Sequence, residues 1–202
     1  MNQRSQGFTL MELMIVLVII GILAASFAAI GGNVFGKSQD QKTHARLNAL
    51  AVMIENYRSL EGEYPDDRLP SGLTTNRHNE HSEALVLALF DAEYTGERPS
   101  QEWLVNTDAD EAARAPAMFD SRELFEIGDV WGNPIVYFES LHYADKRGAV
   151  LQAGIEFYEE QTVMPGRNER TGSYAEPNGF QLVSAGSDGL FGTEDDLYSY
   201  KD

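Results

Sequence analysis

The residues with the clearest chemical potential stand at the start of the chain. A polar leader ends at Gly7, and Phe8 opens a run of 23 residues to Ile30 in which Glu12 is the only charged side chain. A helix rises about 1.5 Å per residue, so this run would span roughly 34 Å, enough to cross a bilayer core about 30 Å thick. A carboxylate at the centre of such a segment costs about 2.5 to 3.5 kcal/mol and needs a partner.

A partner for Glu12 would arise if the chain were cut between Gly7 and Phe8. The cut would free an α-amino group with a pKa of about 8, which is largely charged at neutral pH. That charge lies one helical turn before Glu12. Pairing of the two charges, within one helix or between staggered neighbouring helices, would neutralise both in a low dielectric. The sequence therefore predicts cleavage between Gly7 and Phe8 and an assembly contact at Glu12.

This N-terminus resembles that of type IV prepilins and of the pseudopilins of type II secretion systems. The resemblance covers residues 4–30 and rests on Gly-Phe-Thr-Leu-x-Glu followed by Leu-Met-Ile-Val-Leu-Val-Ile-Ile-Gly-Ile-Leu. It implies cleavage after Gly7 by a prepilin peptidase on the cytoplasmic face, N-methylation of Phe8 and assembly into a helical filament. A secretory signal peptide cut near residues 24–26 and an ordinary single-span anchor are alternatives, but neither explains Gly7 and Glu12 together.

The rest of the chain is strongly acidic. Residues 31–202 hold 14 basic and 31 acidic residues and carry the whole formal net charge of −17. Phosphates would be repelled by this surface, so we expect no nucleic acid or anionic membrane face as a partner. The absence of cysteine excludes a disulfide. About 140 residues can nevertheless bury one core unaided, and a bound metal could add to its stability.

An amphipathic helix is predicted beyond the apolar run. Gly31, Gly32 and Gly36 are points at which it could bend or melt, because each glycine costs roughly 1 kcal/mol relative to alanine. Apolar residues then recur with i, i+3, i+4 spacing at Leu47, Leu50, Ala51, Ile54, Tyr57 and Leu60. Polar residues take the opposite face: Lys42, Arg46, Asn48, Glu55 and Arg58. Gly62 and Pro65 are typical of a helix end.

The remaining pattern predicts a small α+β head. Residues 63–128 are mostly irregular, with a short buried helix at 83–90 and another turn at 111–119 or 121–125. Strand composition is found at residues 133–138, 155–158, 179–184 and 197–200, and residues 159–178 form a long loop. His78 and His81, with Glu80 and Glu83, have the spacing that a polar loop produces by chance, since no second ligand pair follows at a zinc-like interval.

We therefore predict an α+β, pilin-like fold, which is also the fold that the resemblance implies. A long N-terminal helix, transmembrane and then amphipathic, packs on a small antiparallel sheet of three to four strands with long loops. The predicted segments are a leader at 1–7, a transmembrane and assembly helix at 8–30, its amphipathic continuation at 31–62, and an acidic periplasmic head at 63–202.

A second chemical motif occupies residues 184–197, named here the acidic loop. Its three glycines let the backbone turn sharply, and Asp188, Asp195 and Asp196 can bring carboxylate oxygens back from both ends. Calcium takes six to eight hard oxygen ligands at flexible geometry, which such a loop can supply. Three carboxylates this close would repel one another without a cation. The EF-hand pattern is missing, and an acidic solvated turn is the alternative.

Both C-terminal motifs resemble those of G-type major pseudopilins. Residues 129–134 read Asp-Val-Trp-Gly-Asn-Pro, with Val130 where the family turn has proline. Apart from the family, Trp131 is most simply a core anchor before a turn. The acidic loop resembles the calcium loop of that family. The resemblance implies calcium ligands at Asp188 and one or both of Asp195 and Asp196, with carbonyls near residues 186, 190 or 193.

These observations predict a non-enzymatic filament subunit. The specific prediction is a pseudopilin of a type II secretion system, major or minor, which crosses the bacterial inner membrane once and holds its head in the periplasm. Its expected partners are prepilin peptidase, further copies of itself and minor pseudopilins. A type IV pilin for adhesion, motility or DNA uptake is the main alternative, but such pilins often carry a C-terminal cysteine pair, and cysteine is absent here.

Two readings from other classes stay open. A membrane-tethered hydrolase could use paired carboxylates, but the chain has no serine nucleophile elbow, zinc-protease helix motif or phosphate loop. A static calcium-binding receptor is the other.

Overall fold

A computed structural model describes residues 10–73, 76, 78–114, 120–145, 147–152 and 158–200, with side chains for all of these except 24–37, 147–152, 158 and 159. The helices are α1 (Leu10–Glu61) and α2 (Glu80–Phe90). The strands are β1 (Leu104–Val105), β2 (Glu126–Ile127), β3 (Val136–Glu139), β4 (Arg147–Gln152), β5 (Tyr158–Val163), β6 (Phe180–Ser184) and β7 (Leu197–Tyr198). Compact units comprise Met1–Ser38 and Gln39–Asp202.

The backbone of α1 is helical through Gly31, Gly32 and Gly36, so the glycines do not interrupt it. Its end matches the prediction, because α1 stops at Glu61 and Gly62 follows with φ +89°. The Gly62 amide donates a hydrogen bond of 2.9 Å to the Arg58 carbonyl, as expected for a glycine that closes a helix.

In the part of the chain for which side chains are described, no helix is both long enough and apolar enough to cross a membrane. The predicted span at residues 8–30 reaches beyond that part and stays a prediction, as do the other predicted segment boundaries.

The second unit has its main core between α1, α2 and one sheet face. Leu47, Leu50 and Ile54 of the predicted stripe are fully buried, and Ala51 and Tyr57 pack at its edge. They contact Leu85 and Leu89 of α2 and Ile135, Tyr137 and Leu182 beside or within the sheet. Full burial of one such side chain contributes roughly 1.5 to 3 kcal/mol. Leu60 lies outside this core and is half exposed, so its assignment to the stripe is wrong.

The central sheet has strand order β3-β6-β7 and is antiparallel throughout. Val136 pairs with Val183 and Glu139 with Phe180, while Ser184 pairs with Leu197. Both faces of β3 and β6 are covered, because Val136, Phe138 and Val183 form a second cluster with Tyr143 and Val163. Burial on two faces explains why these strands are largely apolar. The α+β class, with a long helix before small antiparallel sheets, is confirmed.

Two further antiparallel pairs, β1-β2 and β4-β5, flank this arrangement in sequence. The pair β4-β5 corrects two predictions, since residues 159–163 belong to a strand and not to the predicted loop, and β4 was not predicted. Of the strand predicted at residues 155–158, only Tyr158 is described, and it belongs to β5. The polar composition of β5 does not predict a strand. Its backbone hydrogen bonds to β4 stabilise the strand instead. The described residues of 111–114 and 120–125 are not helical, so a helical turn there is not found.

Candidate functional site

The predicted processing site, Gly7 and Phe8, lies outside the described residues. Glu12 lies in the first turn of the described part of α1. Its side chain is exposed in the single chain. Every large apolar side chain from Leu10 to Leu23 is also exposed, by 43–78%. An apolar surface of this extent is typical of a segment that lipid or another protein covers.

The acidic loop is organised by its own carboxylates. Asp195 accepts hydrogen bonds from the Asp188 amide at 3.0 Å, the Ser187 hydroxyl at 2.9 Å and the Thr193 hydroxyl at 2.6 Å. The Asp188 carboxylate accepts from the Leu190 amide at 2.8 Å. These hydrogen bonds hold the Asp195 carboxylate against the Asp188 backbone and so connect the two ends of the loop.

Asp196 occupies a different part of the loop from Asp195. Its Oδ2 accepts from the Gly192 amide at 2.8 Å and the Tyr198 hydroxyl at 2.9 Å. Its Oδ1 is buried and has no hydrogen-bond partner. Burial raises the pKa of Asp196. Burial also acts on Asp195, but its three hydrogen bonds outweigh this effect and lower the pKa of Asp195 to about 2.

These contacts permit a test of whether the loop suits calcium. The atoms that could bind the ion are all hard oxygens, which calcium prefers. The buried Asp196 Oδ1 accepts no hydrogen bond, so the chemistry of these residues suits calcium. Gly186 has φ +67°, and a Cβ there would meet the Asp195 carbonyl oxygen, so the loop ends are closely packed. Within the described chain, however, the three predicted ligands do not appear as a set of carboxylates converging within 4.8 Å.

The tryptophan turn, residues 129–134, lies directly against the acidic loop. Asp129 is 4% exposed and accepts from the Trp131 amide at 2.8 Å, the Asn133 amide at 3.0 Å and the Ser184 hydroxyl at 2.7 Å. The Asn133 amide side chain donates to the Gly186 carbonyl at 3.2 Å. Two motifs that are about 50 residues apart in sequence are therefore one structural unit, which the sequence alone did not indicate.

Arg46, which was predicted on the polar face of α1 opposite the apolar stripe, joins α1 to this turn. Its guanidinium donates to the Gly128 carbonyl and, at 2.9 Å, to the Asp129 carbonyl. It also lies 4.9 Å from the centroid of the Trp103 ring, within the range of a cation–π contact. Burial lowers the pKa of Arg46, which nevertheless stays charged at neutral pH.

Carboxylates do converge elsewhere in the described residues. One group is Asp66, Asp67 and His142, in which His142 Nδ1 lies 2.6 Å from Asp67 Oδ1. The other is Glu83, Asp108 and Asp110, named here the buried acidic cluster. Sequence reasoning missed this cluster, because Glu83 stands 25 residues before Asp108 and the three acids carry no metal-binding spacing.

The histidine spacing near α2 does not form a ligand set. His81 is buried and stacks on Phe138, with ring centroids 5.7 Å apart. His78 instead pairs with Glu160, with Nε2 3.3 Å from the carboxylate. Glu83, which the sequence grouped with these histidines, belongs to the buried acidic cluster.

Comparison with known proteins places the N-terminal motif in a family. Residues 2–28 match the family described as the prokaryotic N-terminal methylation motif. The type IV major fimbrial protein FimA of Dichelobacter nodosus is 38% identical over 46% of this chain and 58% of its own length. The chain spans only about half the length of such pilin relatives, between 42% and 58%.

Secretion proteins match as well. The type II secretion system core protein G of Dickeya chrysanthemi is 35% identical over 32% of this chain and 42% of its own length. The protein of the same name from Escherichia coli is 28% identical over 98% of this chain and 93% of its own. No solved structure matches the chain with significance. The chain therefore carries the N-terminal methylation motif and is similar to the G-type core protein of type II secretion systems over nearly its whole length and to type IV pilins over about half of it.

Proposed function

We propose that this chain is a structural subunit of a pilus-like filament, and specifically a pseudopilin of a type II secretion system that takes part in protein export. The observation that carries the proposal is the similarity to a secretion core protein G along 98% of the chain. The methylation motif at residues 2–28 supports the same conclusion, because it covers the N-terminus through which the chain resembles type IV prepilins and pseudopilins. The chain is a structural protein and not an enzyme.

The apolar part of α1 is the proposed anchor and assembly surface. The exposed side chains from Leu10 to Leu23 would be covered by lipid before assembly and by neighbouring helices after it. We place this segment in the bacterial inner membrane and the head, residues 63–202, in the periplasm. Prepilin peptidase would remove residues 1–7, and the filament would contain further copies of this chain and minor pseudopilins.

The mature N-terminus is the most direct test of this processing. We expect mass spectrometry of the full chain, purified from cells that contain prepilin peptidase, to find a first residue Phe8 carrying an N-methyl group. Gly7→Trp should leave Met1 in place, because a bulky side chain at the scissile bond blocks access of the peptidase. Ser5→Trp, two residues away in the leader, serves as the control. A wild-type chain that begins at Met1 or near Phe27 would sink the proposal.

A type IV pilin is the second candidate, and the 38% identity to a major fimbrial protein favours it over about half of the chain. The two candidates differ in what a deletion strain loses. A pseudopilin strain would retain secreted proteins inside the cell, whereas a pilin strain would lose surface fibres and keep secretion. The full-length similarity to core protein G makes the first outcome the expected one.

Calcium binding by the acidic loop is part of the same proposal. Asp188 and one or both of Asp195 and Asp196 would hold the ion, and the buried Asp196 Oδ1 without a hydrogen-bond donor supports this. When bound, calcium would supply positive charge between carboxylates at the two ends of the loop. The loop contacts the tryptophan turn, so a more rigid loop would also stabilise β6 and β7.

A thermal shift tests the loop. A ligand at 100 times its dissociation constant stabilises by about 2.7 kcal/mol, which in a chain of this size raises Tm by roughly 5 to 10 °C. We expect calcium to produce such a gain in the full chain in detergent micelles, followed by the fluorescence of Trp103 and Trp131. Asp188→Ala should show a clearly smaller gain than Glu194→Ala, an exposed acid in the same loop. Equal gains in the two variants would contradict the loop site.

A further inference from the structure

The buried acidic cluster joins two segments whose role the family resemblance does not explain. Glu83 lies in the first turn of α2, and Asp108 and Asp110 lie in the connection between β1 and β2. One oxygen atom from each of the three lies within 4.8 Å of the others. Glu83 is fully buried and Asp110 is 8% exposed, so both carboxylates are held away from water.

Glu83 lacks the donors that buried polar groups normally have, because neither of its oxygens accepts a hydrogen bond from an N–H or hydroxyl group. Asn76 and His78 lie near Asp108 and Asp110. The side-chain oxygen of Asn106, in the same connection, is also buried without a donor. Because native proteins satisfy nearly all buried polar atoms, this concentration of acceptors in one place requires a positively charged or donating group.

The surrounding residues direct the cluster inward but do not neutralise it. The backbone between Asp108 and Asp110 turns at Ala109 with φ +54°, a left-handed conformation that costs a non-glycine residue roughly 1 to 2 kcal/mol. Glu126 lies beside the cluster, but its two oxygens accept hydrogen bonds from the Asn79 side chain at 2.9 Å and the Thr107 amide at 3.1 Å. No lysine or arginine in the described part of the chain forms an ion pair with the three acids.

The spacing of the oxygens suits a large divalent cation. Two oxygens bound to one calcium ion at 2.3 to 2.6 Å are at most about 5 Å apart, which agrees with the separations in the cluster. Magnesium keeps several waters and needs strict octahedral geometry, which a buried site made of protein carboxylates supplies poorly. All of the candidate ligands are hard oxygens, so calcium is favoured over softer transition metals.

We propose that Glu83, Asp108 and Asp110 bind a calcium ion that fastens α2 to the connection between β1 and β2. The Asn106 side-chain oxygen lies on the same connection as a fourth available acceptor. This site is separate from the acidic loop and does not depend on it, since the two share no residue. In a chain without cysteine, such an ion would cross-link a largely irregular region that no disulfide can close.

Calcium stoichiometry tests the site. The full chain in detergent micelles is dialysed against saturating calcium, and the bound ion is counted by atomic emission. We expect Glu83→Gln to lose one equivalent of calcium per chain relative to the unmodified protein, because the amide keeps the shape of the side chain but removes its charge. Glu80→Gln should keep the full stoichiometry, because Glu80 also lies in the first turn of α2 but outside the cluster.

A second variant separates loss of the ion from loss of the fold. Asp110→Asn should lose the same equivalent, and tryptophan fluorescence in chelator should show whether each variant is folded. Asp188→Ala should lose a different equivalent, so that the double variant Glu83→Gln with Asp188→Ala loses both. Undiminished calcium binding by folded Glu83→Gln and folded Asp110→Asn overturns the proposal and indicates that the cluster holds protons. Failure of Asp188→Ala alone would count only against the acidic loop.

Discussion

Glu12→Ala is expected to abolish filament assembly while cleavage after Gly7 continues. The variant leaves the α-amino group of Phe8 without its counter-charge in an apolar environment. A charge pair at about 4 Å contributes on the order of 4 kcal/mol at an effective dielectric of 20, which corresponds to several hundredfold in affinity between subunits. The measurement is the amount of the chain in sheared, pelleted filaments, compared with mass spectrometry of the mature N-terminus from the same cells.

Two further substitutions show whether charge at this position is the cause. Glu12→Gln should fail to assemble as Glu12→Ala does, because it keeps the size of the side chain but not its charge. Glu61→Gln, which removes an exposed acid at the end of α1 outside the apolar segment, should assemble. Normal incorporation of Glu12→Gln into filaments would show that the carboxylate is not an assembly contact.

Asp129→Ala is expected to cause the largest loss of head stability among single acidic substitutions outside the proposed cation sites. The carboxylate accepts three hydrogen bonds from groups in the tryptophan turn and β6, and its removal leaves those donors unsatisfied. Each buried donor left unsatisfied costs about 1 to 3 kcal/mol. Because such costs are not fully additive, we expect the free energy of unfolding to fall by roughly 3 to 5 kcal/mol. This corresponds to a fall in Tm of roughly 8 to 15 °C.

Thermal unfolding of the full chain in detergent, followed by tryptophan fluorescence, measures this loss. Asp120→Ala is the matched control, because Asp120 is exposed and such substitutions usually change stability by less than about 0.5 kcal/mol. Asp129→Asn should fall between the two, since one side-chain oxygen remains as an acceptor. If Asp129→Ala and Asp120→Ala unfold at the same temperature, the hydrogen-bond network does not hold the turn against β6.

Elements that depend on local patterns were predicted well. The stripe of Leu47, Leu50 and Ile54 became the buried face of α1 because helical periodicity places these positions on one side wherever the helix packs. The strands β3 and β6 were recognised because burial on both faces favours a largely apolar sequence. The strand β7 is only half-buried and was recognised from its strand composition. Gly62 ended the helix because a left-handed backbone is open to glycine.

Elements that depend on a distant partner were predicted poorly. The strand β5 contains Glu159, Glu160 and Gln161, which have low strand propensity, and its hydrogen bonds to β4 decide its conformation. Arg46 has the spacing of an exposed residue on α1, but carbonyl groups about 80 residues later accept its hydrogen bonds. Helical periodicity contains no information about such acceptors.

The N-terminal motif was recognised from sequence alone, since the predicted cleavage, methylation and assembly contact at Glu12 all rest on residues close together in the chain. Local composition likewise defined the acidic loop and the tryptophan turn as separate motifs. Only the tertiary structure joined those two through Asp129 and Ser184 and brought Glu83 to Asp108 and Asp110. The physical reason is that the packing of distant segments, and not the order of neighbouring residues, decides which carboxylates share a desolvated space.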